Sequence, residues 1–377
     1  MAATQLQAVR RQLGYKASEV IAMLLQRAHS LDIPVMTPTS LKTKLSVWEN
    51  GHEQVSEPYR RLFRDVYGRT NEELGFPSDD EDEEATELRS RLTIARSVDA
   101  ATVEAFRRQV DSARHVDRRF GAVTLLDQLR THVKQIESLL NYSTNLEHRE
   151  PLAGVLTEVS TLAGWNALDR NAFGQAWQHY ERAKAAAREA GSARLLAHAT
   201  AEQAFVLIDI GETGAAVEQL AHARAIAERA ASPLLRAWLA AAHGEGLSAV
   251  GDRDNALRAF DTAGTLLPEN PQDAALPFIF LGGSNLDRWR GNALAKLGEP
   301  DAIDQLTDVL ARVPGEFTRA TGGTLVDLAF AHSAAGDREA AQHYARKARR
   351  VASQIKSDRQ LRRLGTLILP GDVSGVA

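Results

Sequence analysis

The sequence predicts an all-α protein in which a small helical domain precedes a solenoid of stacked helix pairs. Runs rich in Ala, Leu, Arg, Glu and Gln dominate from residue 87 onward, and these residue types have high helix propensity. Few segments alternate apolar and polar residues as a half-buried strand does. A pattern of small residues also recurs along the second half of the chain, which is typical of a helical repeat.

Composition limits the chemistry that the chain can perform. Its 377 residues are 44% hydrophobic and 25% charged, which provides apolar material for more than one domain. The absence of cysteine excludes disulfides, thiolate metal sites and cysteine nucleophiles. No stretch reaches the roughly 20 apolar residues that span a bilayer, and the N-terminus lacks the apolar core of a signal peptide. We therefore expect a cytoplasmic protein with no membrane partner.

The distribution of charge suggests domain boundaries. The net charge of -4 argues against nucleic-acid binding by the chain as a whole, but residues 1–76 hold ten Lys or Arg against eight Asp or Glu. Pro77 and the acidic run 79–84 end this segment, because proline stops a helix and like charges repel into extended chain. We predict a first domain over 1–76, a linker over 77–86, connecting helices over 87–150 and a repeat domain over 151–377.

Two of these segments allow alternative interpretations. The linker is a solvated spacer or, alternatively, an electrostatic competitor with nucleic acid for the basic face of the first domain. The connecting helices, with apolar residues at helical spacing such as Val103, Val110, Leu129 and Ile136, belong to a sensor or form a dimerisation surface.

The strongest pattern is a turn that recurs five times between two helical segments, with spacings of 40, 40, 47 and 38 residues. Glycine tolerates positive φ, and an aspartate after it can start the next helix, so Gly-Asp pairs such as Gly251-Asp252 reverse the chain. The five turn residues are Asn171, Gly211, Gly251, Gly298 and Gly336.

Small residues stand at fixed distances from these turns. Seven residues before each turn, a glycine or alanine lets the paired helices cross closely. Five and twelve residues after it, an alanine recurs in every unit except the fourth. Bulky Tyr180, Leu220 and Phe260 fill the space beside the small residues. The small residues before the turns are Gly164, Ala204, Gly244, Gly291 and Ala329; those after are Ala176, Ala216, Ala256 and Ala341, then Ala183, Ala223, Ala263 and Ala348, with Ile303 and Leu310 in the fourth unit.

This pattern resembles the tetratricopeptide repeat over about residues 155 to 352. The match is carried by the small residues and the Gly-Asp turn of the third unit, followed by a bulky residue and a proline. The resemblance implies stacked helix pairs that form an extended concave surface for a ligand. The spacings exceed the usual 34 residues of the family, which implies longer helices. The matching residues are Gly244, Gly251, Asp252, Ala256, Phe260, Ala263 and Pro268.

On a repeat of this kind the first helix of each pair lines the concave face. Asparagine side chains there can pair with both the donor and the acceptor of a peptide backbone, and Arg288 can hold a carboxylate through two hydrogen bonds. Peptide recognition is therefore chemically plausible. The residues that we predict to bind a ligand are Trp165, His198, Phe205, Trp238, Glu245, Asn285, Arg288, Asn292 and Phe330.

A short helix over residues 39–51 in the first domain has one apolar face. Leu41, Leu45 and Trp48 share that face at spacings of four and three, so we expect them to be buried. Thr39 or Ser40 is expected to cap the start of the helix, and Gly51 to end it. We predict a preceding helix over about 17–29 and a following helix over 57–66. Lys42, Thr43, Lys44 and Ser46 project away from the buried face.

Here the chain resembles the Xre, or lambda-repressor-like, regulators through Leu45-Ser46-Val47-Trp48-Glu49-Asn50-Gly51 and the later Pro58-Tyr59-Arg60-Arg61-Leu62. The stretch from Trp48-Glu49-Asn50-Gly51 to Glu73-Leu74-Gly75-Phe76 resembles the actinobacterial branch that carries repeats. The resemblance implies a helix-turn-helix domain with a recognition helix over 39–50 that enters the major groove. It implies base or phosphate contacts by Ser40, Lys42, Thr43, Lys44 and Ser46, and backbone contacts by Arg60 and Arg61.

Together these features predict a transcriptional regulator that binds a DNA operator, most plausibly as a homodimer because paired half-sites double the contacts. Regulators that join these two domain types often respond to signalling peptides, so the resemblance implies a peptide, with a small ligand or a protein partner as open alternatives. The competing hypothesis is an interaction scaffold that never binds DNA. We find no motif for a phosphate loop, a dinucleotide, catalytic zinc or a nucleophile, and expect no cofactor, metal or enzymatic activity.

Overall fold

The computed structural model describes residues 4–77, 79–121, 125–273, 275–282, 284–315 and 317–371. The chain forms two compact units, Met1–Thr93 and Ile94–Ala377. Throughout the described ranges the regular elements are α-helices, with no strand, so the predicted all-α class is confirmed. Within the same residues, no helix is both long enough and apolar enough to cross a membrane.

Five helices build the first unit around one apolar core. The core is closed by aromatic side chains: the Trp48 ring lies 5.0 Å from the Tyr59 ring and 6.0 Å from the Phe63 ring, measured between centroids. Buried Glu49 accepts two hydrogen bonds from Arg10, at 2.6 and 2.8 Å, which ties the first helix to the third. The helices are α1 (Gln5–Gln12), α2 (Ala17–Ser30), α3 (Pro38–Glu49), α4 (Tyr59–Tyr67) and α5 (Asn71–Leu74).

A helix occupies most of the segment in which we expected an extended acidic linker. α6 spans Asp79–Arg96, so the prediction of an extended linker over 77–86 is wrong. Glutamate, alanine, leucine and arginine all have high helix propensity, and an ion pair between Glu87 and Arg91 at i,i+4 supports the helix. Repulsion between like charges does not outweigh these preferences here.

Among its described residues, the second unit contains two leading helices, five helix pairs and a terminal helix. The leading helices α7 and α8 pack on α9, and α7 also contacts α17, so most of the residues that we interpreted as connecting helices are part of this unit. The leading helices are α7 (Ala100–Phe120) and α8 (Leu126–Tyr142); the pairs are α9/α10 (Leu146–Asp169, Phe173–Glu189), α11/α12 (Ala193–Ile210, Thr213–Ala227), α13/α14 (Pro233–Ala249, Arg253–Leu266), α15/α16 (Asn285–Leu297, Asp301–Arg312) and α17/α18 (Thr318–Ala334, Arg338–Gln354); the terminal helix is α19 (Asp358–Gly365).

Each of the five predicted turn residues lies between the two helices of a pair and has positive φ. The four glycines have φ between +72° and +92°, and Asn171 has φ of +55°. A residue with a Cβ atom rarely adopts this region, and asparagine is one of the few that tolerate it. The turns therefore depend on the residue types from which the repeat was predicted.

The two helices of a pair meet at a seam of small and bulky residues. A Cβ atom added to Gly164 would lie 2.9 Å from the Tyr180 ring, and one added to Gly244 would lie 2.8 Å from the Phe260 ring. Both distances are shorter than real Cβ contacts, so only glycine allows these rings to approach. The predicted alanines of the second helices are completely buried, which confirms their place at the seam.

The fourth pair keeps the seam by a shift of one residue. Ala302, Leu306 and Val309 are completely buried in α16, at positions 4, 8 and 11 after the turn at Gly298. In the first pair the equivalent residues stand at positions 5, 9 and 12 after Asn171. Ile303 and Leu310, which stand at the alanine positions, are only partly buried. The departure of the fourth unit is therefore a change of register and not a loss of packing.

The two ends of the array are joined across its concave side. α19 packs on α17, α18 and α9, and α7 packs on both α9 and α17. The hydroxyl of Ser357, just before α19, donates a hydrogen bond of 2.6 Å to Asp169 at the end of α9. The concave face therefore borders a partly open cavity, whereas the repeat pattern alone predicted an extended groove.

Candidate functional site

The cavity on the concave side of the second unit has a volume of about 500 Å³. The first helix of every pair contributes to its wall, as do α7, α19 and the segment between α14 and α15. This volume lies in the range of pockets that hold small molecules.

The structure brings together eight of the nine residues that we predicted to bind a ligand. Trp165, His198, Phe205, Trp238, Glu245, Asn285, Arg288 and Asn292 line the cavity. Phe330 does not line it, and the Arg363 guanidinium lies 6.0 Å from the centre of its ring instead. The register set by the turns places the first eight side chains on one face of each helix. Their role in binding stays a prediction.

One part of the wall is a continuous aromatic surface. The Trp289 ring lies 5.6 Å from the Trp238 ring and 6.1 Å from the Phe205 ring, both edge to face. On the other side of Trp238, the His198 ring follows at 4.8 Å, and Phe278 lies 4.4 Å from His198. This surface can bury a flat or branched apolar group of a ligand.

The wall formed by α19 is held in place by ion pairs. Arg359 donates two hydrogen bonds, of 2.6 and 2.9 Å, to the carboxylate of Asp209 on α11, and Arg362 contacts the same carboxylate at 3.0 Å. Arg363 donates a hydrogen bond of 2.7 Å to Asp327 on α17. Burial disfavours the charged form of Asp209, but the Arg359 guanidinium outweighs this effect, so the pKa of Asp209 lies below its usual value.

The part of the wall formed by α7 and by the segment between α14 and α15 contains residues that we did not predict. Arg114 on α7 donates a hydrogen bond of 2.7 Å to Glu158 and lies 5.7 Å from the centre of the Phe278 ring. Arg118, one turn later, lies 4.9 Å from the centre of the Phe280 ring. The long spacing of 47 residues between two turns was a signal for the insertion that carries both phenylalanines.

Several polar atoms in the wall are buried without a hydrogen-bond partner among the described residues, and two of them, Nε of Arg288 and Oδ1 of Asn292, belong to residues that we predicted to bind a ligand. The others belong to Asp169, Arg319 and Arg362, which form ion pairs. Asn292 donates through Nδ2 to Asp327 at 2.7 Å, so this contact leaves Oδ1 as an acceptor. Buried polar atoms are normally satisfied, and unsatisfied ones in a cavity wall are candidates for ligand contacts.

A buried carboxyl group at the cavity wall has a raised pKa. Burial raises the pKa of Glu202 to about 7, although the Tyr180 hydroxyl donates a hydrogen bond of 3.3 Å to it. His198 lies one helical turn before Glu202, with its Nε2 atom 3.6 Å from the carboxylate. Burial, with a smaller effect of Arg114, lowers the pKa of His198 to about 3, so the imidazole is neutral at physiological pH.

In the first unit, α3 has the predicted buried and exposed faces. Leu41, Leu45 and Trp48 are buried, whereas Ser40, Lys42, Thr43 and Ser46 are exposed. Lys44 is partly exposed and pairs with Glu53. The predicted cap is wrong: Thr37 accepts the hydrogen bond from the backbone of Ser40, and Thr39 and Ser40 lie within the helix. Pro38 takes the first helical position, which proline favours because it lacks an N–H group.

The two arginines predicted to contact the DNA backbone lie on different faces of α4. Arg61 is exposed. Arg60 is buried, and its Nε atom donates a hydrogen bond of 2.6 Å to the carbonyl of Val55. The structure therefore does not support a DNA contact by Arg60. Its side chain instead stabilises the loop before α4.

In the part of the chain that the structure describes, no three His, Asp or Glu side chains meet in a group that could hold a metal ion. No family model matches the chain, and no curated protein matches it either. Among solved structures it is similar to the crystal structure of Rap protein complexed with Competence and Sporulation Factor, with 13% identity and a TM-score of 0.47 over 94% of this chain and 98% of that chain. A likeness at this level carries no argument about function, which depends on the chemistry of the site itself.

Proposed function

We propose that the protein is a DNA-binding transcriptional regulator whose helical-repeat unit senses a short peptide or another small ligand. The observation that carries the proposal is the cavity of about 500 Å³ on the concave side, with an aromatic wall and unsatisfied polar atoms. Its volume suits a small molecule or a few residues of peptide. A protein partner would have to enter as an extended segment.

The chemistry of the wall supports ligand binding over a purely structural role. A purely structural core is lined by apolar side chains that fill it. Here the cavity is bordered instead by charged and polar side chains, among them Arg288 and Asn292, whose buried Nε and Oδ1 atoms have no hydrogen-bond partner among the described residues. A ligand that supplies such partners gains binding free energy from these hydrogen bonds.

The DNA-binding half of the proposal rests on α3 and on the Xre resemblance of its sequence. The exposed face of α3 presents Lys42, Thr43 and Ser46, the types of residue that contact phosphates and base edges. α3 packs against α2, so the exposed face belongs to a supported helix and not to a loop. Lys44 adds a second charge once it leaves Glu53. Arg61 supplies a further exposed cation on α4.

Regulation would follow from coupling between the two halves. A ligand shifts a conformational equilibrium only by its difference in affinity for the two states. In this protein we propose that the ligand favours one arrangement of α7 and α19 around the cavity and so changes domain geometry or dimerisation. A homodimer would place two copies of α3 on paired half-sites.

Fluorescence anisotropy with DNA from upstream of the protein's own gene tests the DNA-binding half. We expect Lys42→Ala with Lys44→Ala to weaken binding at least about tenfold and to lower the slope of log affinity against log salt by about two, because two phosphate contacts are lost. Glu53→Gln should strengthen binding a few-fold, because it releases Lys44. The charge-matched control is Arg107→Ala with Arg108→Ala on α7.

Each result of this titration has a direct meaning. Equal loss in both double variants would show a general charge effect and would remove α3 as the reading helix. No binding by the wild type would favour the scaffold hypothesis, for which the buried Arg60 and the paired Lys44 are the supporting observations.

A further inference from the structure

Arg288 is the arginine of the cavity wall whose charge is not matched by the protein. Its side chain makes no hydrogen bond or ion pair among the described residues, and its Nε atom is buried without a partner. Five of the other six arginines in the wall pair with a carboxylate, and Arg118 lies over the Phe280 ring. The nearest acidic groups, Asp327 and Glu245, already bind Arg363 and Lys296.

The charges of the wall favour a negatively charged ligand. Seven arginines and one lysine line the cavity together with seven carboxylates, of which Glu202, with a pKa of about 7, is only partly ionised at neutral pH. With a neutral His198, the wall therefore carries at least one positive charge in excess. Two arginines, Arg118 and Arg288, have no carboxylate partner among the described residues, and Arg118 lies over the Phe280 ring, so the charge that a ligand can neutralise lies at Arg288. A guanidinium that is shielded from water binds a carboxylate most favourably through two parallel hydrogen bonds.

Asn292, one helical turn after Arg288, indicates which chemical group of the ligand lies beside its carboxylate. Residues four apart lie on the same face of a helix, so Asn292 neighbours Arg288 on the wall. Its contact with Asp327 fixes the amide orientation and leaves Oδ1 as a buried acceptor. A ligand that satisfies both residues has a carboxylate and, close to it, an N–H donor.

The aromatic surface indicates that the ligand also has an apolar group. Trp289 follows Arg288 in the chain, and its ring meets Trp238 and Phe205 edge to face. Because Arg288 and this surface line the same cavity, a ligand whose carboxylate binds Arg288 can present an apolar group to the surface. Burial of one aromatic or branched side chain there strengthens binding roughly thirtyfold in general.

From these three groups we infer that the cavity binds an N-acylated amino acid with a free carboxylate and an aromatic or branched side chain, its carboxylate on Arg288, its N–H on Asn292 and its side chain against Trp238, Trp289 and Phe205. The C-terminal residue of a short peptide and a free N-acyl amino acid both have this chemistry. The inference rests on the proposed function of the cavity as a ligand site, and it adds the class of ligand and the direction in which it binds.

Isothermal titration of the full chain with matched probes tests this inference. The probes are N-acetylphenylalanine and the tripeptide Leu-Leu-Phe, each as the free acid and as the C-terminal amide, together with 3-phenylpropionate, which lacks the N–H group. We expect each acid to bind at least about tenfold more tightly than its amide, since a hydrogen bond to a charged group is worth that much. We expect 3-phenylpropionate to bind several-fold more weakly than N-acetylphenylalanine.

The variants Arg288→Gln and Arg290→Gln test which arginine causes the preference for the free acid over the amide. Arg290 lies on the same helix but pairs with Asp261 and does not line the cavity. We expect Arg288→Gln to bind acid and amide equally and Arg290→Gln to behave as the wild type. Tighter binding of the tripeptide acid would identify a peptide end as the ligand, and tighter binding of N-acetylphenylalanine a free N-acyl amino acid.

Three results would overturn the inference. Equal binding of acids and amides by the wild type, or a preference that survives in Arg288→Gln, would show that the ligand is held by other groups, with the cavity still a ligand site. Failure of all five probes to bind the wild type would reject this ligand class. The DNA titration and the cavity-blocking variant Gly323→Leu would still test the proposed function, because neither experiment uses these probes.

Discussion

The first helices of the five pairs have two faces with opposite character. The seam face packs without spare volume: glycines such as Gly164 and Gly244 touch an aromatic ring so closely that a methyl group has no room. The inner face borders a cavity of about 500 Å³ and carries charged residues, some of them without partners. The seam therefore provides the stability that allows the inner face to hold groups that cost stability, which is typical of a binding site.

The largest expected effect comes from the inner face, at the carboxylate that holds α19. Asp209→Asn leaves the mostly buried Arg359 and the partly exposed Arg362 without their partner, and removal of one member of a buried pair costs about 3 kcal/mol. We expect α19 to lose protection against hydrogen exchange at Asp358–Gly365. The matched control is Asp261→Asn, at an exposed ion pair with Arg290, where the same change should cost less than about 0.5 kcal/mol. Unchanged protection in Asp209→Asn would contradict this role of the ion pairs.

The next effect comes from the seam face. Gly244→Ala places a methyl group 2.8 Å from the buried Phe260 ring and 3.2 Å from a backbone carbonyl oxygen, so we expect a loss of about 2 kcal/mol in the free energy of unfolding. Gly264→Ala, on an exposed position of α14 with nothing within 4 Å, should be neutral or stabilising by up to about 1 kcal/mol. Denaturant unfolding of both variants measures the difference. Equal stabilities would mean that the seam has spare room.

A smaller, pH-dependent effect is expected at Glu202. Its pKa in the folded protein, about 7, lies above that of an unfolded glutamate, so its contribution is present below pH 4.5 and is lost as the pH rises through 7. Glu202→Gln removes this titration. From pH 5 to pH 8.5 we expect the variant to gain at least about 1 kcal/mol of stability relative to the wild type. Thermal unfolding of both proteins at both pH values checks this, and buried His198 does not affect the difference because both contain it. A constant difference would show that Glu202 titrates normally.

The seam could be predicted from sequence because it depends on local spacing. A turn residue, a small residue before it and alanines after it recur along the chain, and the structure confirms them with one shift of register at α16. The closure of the cavity could not be predicted in this way. The contacts that close the cavity join residues far apart in sequence: Arg359 and Asp209 are 150 positions apart, and Ser357 and Asp169 are 188 apart. Single polar residues of this kind leave no periodic signal.

In the first unit, local rules were sufficient for the buried face of α3 but not for its neighbours. The cap was misassigned because Pro38 at the first helical position moves the cap to Thr37. The burial of Arg60 follows from its position on the stripe of Phe63 and Tyr67, three and seven residues later. That spacing was visible in the sequence, and it outweighs the usual preference of arginine for the surface.

The most direct test of a ligand site on the inner face is native mass spectrometry of the purified full chain with the cavity open and blocked. Gly323 lines the cavity, and a Cβ atom there would have only the Gln360 side chain nearby, at 4.0 Å, so Gly323→Leu fills the cavity without disturbing the seam. Gly174→Leu, at an exposed position of α10 with nothing within 4 Å, is the control. We expect the wild type and Gly174→Leu to carry the same bound mass and Gly323→Leu to lose it. A bound mass that survives in Gly323→Leu, or its absence from all three proteins, would contradict a ligand site on the inner face.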